Sequence, residues 1–396
     1  MGRTFSIARY AAHSWRTLGK KDVAFTAVAL LATIVLAFRP TGHEREGVRS
    51  LRAKAEVIST ENNGIRCFGP VMQGEQTVRV RVLTGEYKGF EADANNILYG
   101  KSDLDKVFRP GDRALVVIDP GEKSPDGGLT PPESLTLVDH YRLDAQGALA
   151  IAFLAVLLLY GGWTGLKSAV SFAFTVAGIW KLLIPAFLAG FPPVIASLLL
   201  VTALSFVIIF LVTGFTETGV AAFLGSMLGT TASAILAMLC AAPYRLNGAV
   251  RPFSETLRFA GYDNLDLTAI FLAGTFLASS GAFMDLATDI SAALEEIHKK
   301  RPGLSFLELA KSGLSVGRKV IGTMSTTLLL AYTGSYTSLL MVFMAQGVPF
   351  ENMFTMSYVS SEIFHTMMGS MGLLLVAPFT AIAAAFLFSR RRRILC

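Results

Sequence analysis

Apolar and polar positions along this chain fall into two regimes. Between Ala145 and Tyr244 the only Asp, Glu, Lys or Arg side chains are Lys167, Lys181 and Glu217. A bilayer core about 30 Å thick needs roughly 20 apolar residues rising about 1.5 Å each, so this stretch has room for four transmembrane helices. Charges and helix breakers set their limits: Ala145–Leu166, Ser168 to about Gly190, a third piece from the Gly190-Phe191-Pro192-Pro193 turn to about Gly214, and Gly219–Pro243. Further on, apolar runs place crossings at Leu267–Met284, within Val320–Phe350 and within His365–Ser389, with a polar loop at 285–319. An earlier run, Val23–Phe38, follows Arg3, Arg9, Arg16, Lys20 and Lys21. The residues around Leu36, Ala37 and Phe38 do not resemble a cleavage site, which favours a retained first helix over a signal peptide.

Residues 43–142 behave differently. Thr77-Val78-Arg79-Val80-Arg81-Val82-Leu83 alternates with the period of a strand, and Arg113–Asp119 is an apolar run bracketed by Pro110-Gly111-Asp112 and Pro120-Gly121. Ser124 to Pro132, rich in Gly and Pro, reads as a loop back to the membrane. The expected architecture is an α-helical multi-pass membrane protein of about eight transmembrane helices, with a small β-rich, barrel-like extracytoplasmic domain between helices 1 and 2. Its parts are 1–42 (cytoplasmic N-terminus and first helix), 43–142 (β-rich domain) and 143–396 (about seven helices, with a cytoplasmic loop near 285–319).

Composition supports this division: 52% of residues are hydrophobic and only 16% charged, against about 25% charged in soluble domains. The net charge of +6 sits largely beside apolar runs, so it argues for membrane orientation and not for nucleic acid. With the N-terminus inside, Lys299, Lys300, Arg301, Lys311, Arg318 and Lys319, and the Arg390–Arg393 tail, all fall on the cytoplasmic side, as Lys and Arg in short loops do. Both termini are then cytoplasmic in a cell-membrane protein. The Arg-bearing segment Arg245–Arg258 breaks the pattern by falling outside, unless residues 245–264 form a surface helix. Cys67, Cys240 and Cys396 outline neither a disulfide framework nor a zinc site, and no cofactor or metal is expected.

Several phrases in the C-terminal third, together, resemble the YibE/F family of multi-pass membrane proteins. They are Leu272-Ala273-Gly274, Gly281-Ala282-Phe283-Met284-Asp285, Ser312-Gly313, Gly317-Arg318, Gly322-Thr323-Met324, Leu328, Leu330-Ala331-Tyr332, Gly334, Glu362, Gly369-Ser370-Met371-Gly372-Leu373 and Pro378. Weaker echoes are Gly85-Glu86-Tyr87-Lys88-Gly89 and Gly111-Asp112. The resemblance implies a membrane protein and is compatible with a permease.

Polar residues inside apolar runs are the candidates for chemistry, because charge in a bilayer requires a partner or a water-filled cavity. Lys181 sits mid-crossing. Asp285 and Asp289 lie one turn apart, with Glu296 extending their face; a solvated surface helix with the stripe Ile290, Leu294, Ile297 reads equally well. Thr323, Thr326, Thr327 and Tyr332 line up as pore hydroxyls or as interhelical hydrogen bonds. Glu362-x-x-His365 has a bundle-metal spacing without the second motif that such sites need. Gly161-x-x-x-Gly165 and Gly225-x-x-x-Gly229 point to close helix packing. No catalytic residues are assigned and no enzyme is expected. The leading expectation is a permease or channel for an ion or small solute, with a polar path including Lys181, Asp285, Asp289, Thr323, Thr326, Thr327, Tyr332 and Glu362. The expected surroundings are the lipid bilayer and, by self-association, a homo-oligomer. The alternative is a non-transporting envelope protein that binds a partner or ligand through its β-rich domain.

Overall fold

The computed structural model describes residues 19–41, 50–120, 131–334 and 336–390. The expected loop at Ser124–Pro132 therefore falls almost wholly outside the described residues, as do the N-terminal basic residues up to Arg16 and the tail beyond Arg390. The chain divides into two compact units, Glu44–Ala155 and the remainder.

The first unit is one antiparallel sheet of five strands: β1 Leu51–Phe68, β2 Val71–Val82, β3 Glu91–Tyr99, β4 Arg113–Asp119 and β5 Ser134–His140. They run in the order β3-β2-β1-β4-β5, and the edge strands β3 and β5 approach one another, so the sheet is nearly closed. Alternation decides what lies inside, because successive strand side chains point to opposite faces. Ala53, Ala55 and Val57 of β1, Val78, Val80 and Val82 of β2, and Ala114, Val116 and Ile118 of β4 fill the interior around Phe108. The intervening arginines face out, where Arg81 and Arg79 both bond Glu91 on the neighbouring strand. That pairing, Arg81 first, holds the Glu91 carboxyl below the usual carboxylate range.

Among the described residues two polar side chains, Gln76 and Asn96, are buried in this unit. Gln76 donates to the Asn62 side chain and to the Phe108 carbonyl, each at 2.8 Å, and accepts from Phe108 N at 3.0 Å and Asn96 Nδ2 at 3.1 Å. Because all these amide groups find partners, a polar side chain is tolerated in the core. Gly74 adopts φ 122, and a Cβ there would lie 2.0 Å from the Gly64 carbonyl oxygen, so the irregular β1–β2 register here requires glycine.

The second unit is helical and takes over from the first within α2: the helices are α1 Lys20–Phe38, α2 Leu143–Gly178, whose residues up to Ala155 belong to the first unit, continued by a π turn Ile179–Leu183 and a last turn Ile184–Leu188, α3 Pro193–Thr213, and α4 Glu217–Tyr244. The short α5 Ser254–Phe259 precedes α6 Leu267–Lys300, α7 Phe306–Gly334, α8 Thr337–Ala345, α9 Phe350–Thr355 and α10 Ser357–Arg390. Among the described residues six helices are long and apolar enough to cross a membrane, and α7 with α8, bent by 63°, would make a seventh.

The sequence reading divides 145–190 at Lys167; the structure breaks it at Gly162 instead, where φ 53 and ψ −125 interrupt the helix. A Cβ on Gly165 would stand 2.2 Å from the Leu157 carbonyl oxygen, so backbone on either side of the break touches and Gly161-x-x-x-Gly165 serves this fold-back, not a packing partner elsewhere. Lys167 itself is only 7% exposed and pairs with Asp22 of α1 at 3.5 Å, which is why it does not end a helix. A second correction concerns 285–319. The expected loop is almost entirely helix, because Leu286, Ile290 and Leu294 continue an apolar stripe beyond the membrane-like run and bury it; the break shrinks to the residues between Lys300 and Phe306.

At the centre, α10 packs against α4, α6 and α7. In lipid, helices associate through close packing and not through a hydrophobic driving force, which favours small residues at contacts. Gly225 and Gly229 of α4 face Thr380 and Val376, Gly313 and Gly317 of α7 face Ala381 and Ala377, and Gly372 of α10 faces Phe283. The expectation that Gly225-x-x-x-Gly229 packs helices is met. Gly313-Leu314-Ser315-Val316-Gly317 has the spacing of a nucleophile elbow, but it lies within an unbroken helix and not at a strand-to-helix turn.

Candidate functional site

The site begins in the connection between α4 and α6, the segment whose arginines broke the charge pattern. Asn247 bonds the backbone N of Ala249 and starts a single 3-10 turn, Gly248–Val250. Gly248 packs on the first turn of α6: a Cβ would lie 1.9 Å from the Leu267 carbonyl oxygen, and its N–H donates to Thr268 Oγ1 at 3.3 Å. This close seat directs Arg251, the residue that follows the turn, into the helical unit. The short α5 that follows is bounded by two exposed aromatic residues, Phe253 just before it and Phe259 at its end.

The Arg251 guanidinium meets three residues. Nη1 donates to Tyr336 Oη at 2.9 Å and to Glu362 Oε2 at 3.4 Å, and Nη2 donates to His365 Nδ1 at 2.8 Å. Its plane also lies over Phe271 of α6, 5.2 Å from the ring centroid. An arginine has no acceptor and does not lose its proton, so His365 Nδ1 must be the bare nitrogen and the imidazole proton sits on Nε2. His365 is 7% exposed, and its Nε2 has no hydrogen-bond partner among the described residues. Its ring stacks on Tyr332 at 4.4 Å, and Tyr332 Oη bonds Ser279 of α6 at 2.9 Å. Gly369 admits this arrangement, since a Cβ there would meet Ser279 Oγ at 2.5 Å. Helices α6, α7 and α10 and two irregular segments thus converge on one polar cluster. It lines a cleft of about 680 Å³, which Glu255 and Tyr358 also border. That volume is in the range of small-molecule sites.

Two of the sequence-derived candidates, Tyr332 and Glu362, therefore share this cleft. Lys181 lies elsewhere, on the π turn, bordering a separate cleft of about 570 Å³ with Arg39 and Thr41. Asp285 and Asp289 are exposed one turn apart on α6, as their spacing requires. Thr323, Thr326 and Thr327 are exposed on α7, and each hydroxyl donates to a carbonyl of its own helix, those of Val320, Gly322 and Thr323. None of these six borders the Arg251 cleft. The sequence reading missed Arg251, Tyr336, His365 and Ser279 as members of one site. Arg251 had announced itself by falling on the wrong side of the charge pattern, and His365 by its spacing from Glu362. The guanidinium occupies the space between those two side chains that a metal would need. Among the described residues no three His, Cys, Asp or Glu gather into a metal-binding group.

Residues 149–390 match the family described as YibE/F-like protein. No curated protein and no solved structure matches the chain.

Proposed function

Because this chain belongs to the YibE/F-like family, whose match spans residues 149–390, we propose that it is a multi-pass membrane permease for a small solute or ion, with its binding site in the Arg251 cleft. One observation carries the reading: a charged and hydrogen-bonded cluster, Arg251 with Glu362, His365 and Tyr336, borders a cleft among helices apolar enough to span a membrane. Ionisable groups in such helices are costly and mark solute or ion pathways.

The proposed topology has eight crossings. At about 1.5 Å per residue the 46 residues of Leu143–Leu188 reach about 69 Å, twice a bilayer core of about 30 Å, and the fold-back at Gly162 divides them into two spans. With α1, α3, α4, α6, the bent pair α7–α8 and α10, the count is eight, both termini are cytoplasmic, and the β unit and the Arg251 connection are extracytoplasmic. In this topology Arg251 still falls outside against the charge rule, and its pairing with Glu362 gives that charge a use.

The test is flux. Purified protein in liposomes, challenged with gradients of inorganic ions and organic anions, should transport at least one of them, and Arg251→Gln should reduce the rate by tenfold or more. A protein inert toward a broad panel, or flux indifferent to Arg251→Gln, would sink the proposal.

A further inference from the structure

The cleft's chemistry narrows its ligand. We infer that it takes a small anion together with a proton, Glu362 serving as an internal carboxylate that competes with the ligand for Arg251. The inference rests on the permease reading for its transport step, while its binding step stands on the cleft alone.

The geometry around the guanidinium supports this exchange. The Arg251–Glu362 contact is long, 3.4 Å through one nitrogen, whereas a committed arginine–carboxylate pair is bidentate at about 2.7–2.9 Å. Glu362 thus neutralises Arg251 without using its fork. The remaining guanidinium N–H groups have no partner among the described residues, and Arg251 borders the open cleft. An incoming carboxylate or oxyanion finds there the planar donor set that recognises such groups.

The charge count then requires a proton. With His365 held neutral by the bond to its Nδ1, the pair Arg251–Glu362 sums to zero. An anion entering this site would leave two negative charges beside one guanidinium. A proton from the solution outside, bonding to the Glu362 carboxylate, breaks the 3.4 Å contact and restores neutrality. Uptake of one monoanion and one proton adds no net charge, so monoanion transport is electroneutral.

Other groups near Glu362 do not replace it as the proton acceptor. Tyr332 from α7 and Tyr336 before α8 are phenols. Helix α6 offers Phe271 and Ser279, neither of which titrates in the relevant range. Glu255 borders the cleft on the exposed α5. His365, one turn along α10, is a positioning residue: its bare Nδ1 holds the guanidinium, and protonating it would end that bond.

The experiment is equilibrium binding to the detergent-purified full chain, using nitrate and acetate, monoanions whose own charges are constant from about pH 6 to about pH 8. One linked proton predicts affinity rising about tenfold for each unit the pH falls. Glu362→Gln, which mimics the protonated state, should bind at the low-pH affinity throughout and lose the slope. Arg251→Gln should lose binding at every pH. If Glu362→Gln fails to fold, the wild-type slope still decides, read as alkalinisation of a weakly buffered medium when anion is added. Absence of binding for both probes, or binding without a pH slope, overturns the inference. The permease reading fails separately: pH-linked binding without flux in liposomes refutes transport alone, and flux of a cation or neutral solute that ignores pH refutes the anion–proton pairing alone.

Discussion

Gly225 offers the sharpest test of how the helical unit holds together. A Cβ at this position would sit 2.2 Å from Thr380 Oγ1 and 2.6 Å from Thr380 Cα. Rotating the threonine relieves the first contact but not the second, so Gly225→Ala forces α4 and α10 apart by roughly 1 Å. Overpacking a close contact costs about 1–3 kcal/mol, and a backbone clash belongs at the upper end. Alanine's better helix propensity offsets about 1 kcal/mol, leaving a net loss of about 2 kcal/mol. Gly322 on α7 is the internal control: nothing stands within 4 Å of its Cβ position, so Gly322→Ala keeps only the gain of about 1 kcal/mol. The two variants should therefore differ by about 3 kcal/mol, with opposite signs relative to wild type. Unfolding of the full chain in mixed micelles by increasing detergent denaturant measures both. If Gly225→Ala proves as stable as Gly322→Ala, the α4–α10 contact is not a tight interface.

Three further outcomes follow from other contacts. Asp22→Ala strands the buried Lys167 and should cost about 1–2 kcal/mol, below the full penalty for a buried pair because Asp22 is itself 45% exposed; Lys167→Met in the same chain should restore wild-type unfolding, and a double variant as weak as Asp22→Ala would refute the pairing. Gln76→Leu leaves the Phe108 backbone N–H and carbonyl without partners in the β interior and removes one of the two acceptors of Asn96 Nδ2, the Lys106 carbonyl remaining, and should cost at least about 2 kcal/mol, read as faster hydrogen exchange in β2 and β3, with unchanged exchange as the refuting result. Asp139 is held below the usual carboxylate range, chiefly by its hydrogen bond to Arg142 and also by the His140 N–H. Its folded value being lower than its unfolded one, the contribution is complete above about pH 4 and is lost as pH falls through the folded value. Protection of the β5 amides, the ratio of intrinsic to observed exchange rate, should therefore fall below about pH 4 in the wild type, and the Arg142→Gln chain should show a weaker acid response.

The β unit was readable because its code is local. Val78, Val80 and Val82 alternate with outward Thr77, Arg79 and Arg81, and the Arg113–Asp119 strand carries its own turn signals, so burial and boundaries follow from neighbours in the chain. The helices were readable as apolar runs, but their ends were not. Lys167 looked like a boundary because its counter-charge, Asp22, lies far back in α1. The end of α6 was hidden for a related reason: Leu286, Ile290 and Leu294 are spaced too sparsely to read as membrane-spanning, and only the apposed α7 and α10 make them a buried stripe. The site was legible in fragments. Glu362 and Tyr332 stood out as polar residues in apolar runs, whereas Arg251 carried the opposite signal, a charge in a connection. What unites them is the seat of Gly248 on α6, a contact between residues some twenty positions apart that no periodicity encodes.

Helix α6 has a mechanical consequence. Its 34 residues extend about 51 Å without an internal proline, roughly 20 Å more than a bilayer core. Near its start Phe271 supports the Arg251 guanidinium and Ser279 holds Tyr332; near its end Glu295 receives the Thr218 hydroxyl and Lys299. It is a strut with the cleft at one end and a charged grip on α4 at the other. Were binding in the proposed site to tilt it by a few degrees, the length of the helix would magnify that to a displacement of several ångströms. A spectroscopic label near Lys299 would then sense occupancy from the far end of the rod, without touching the ligand.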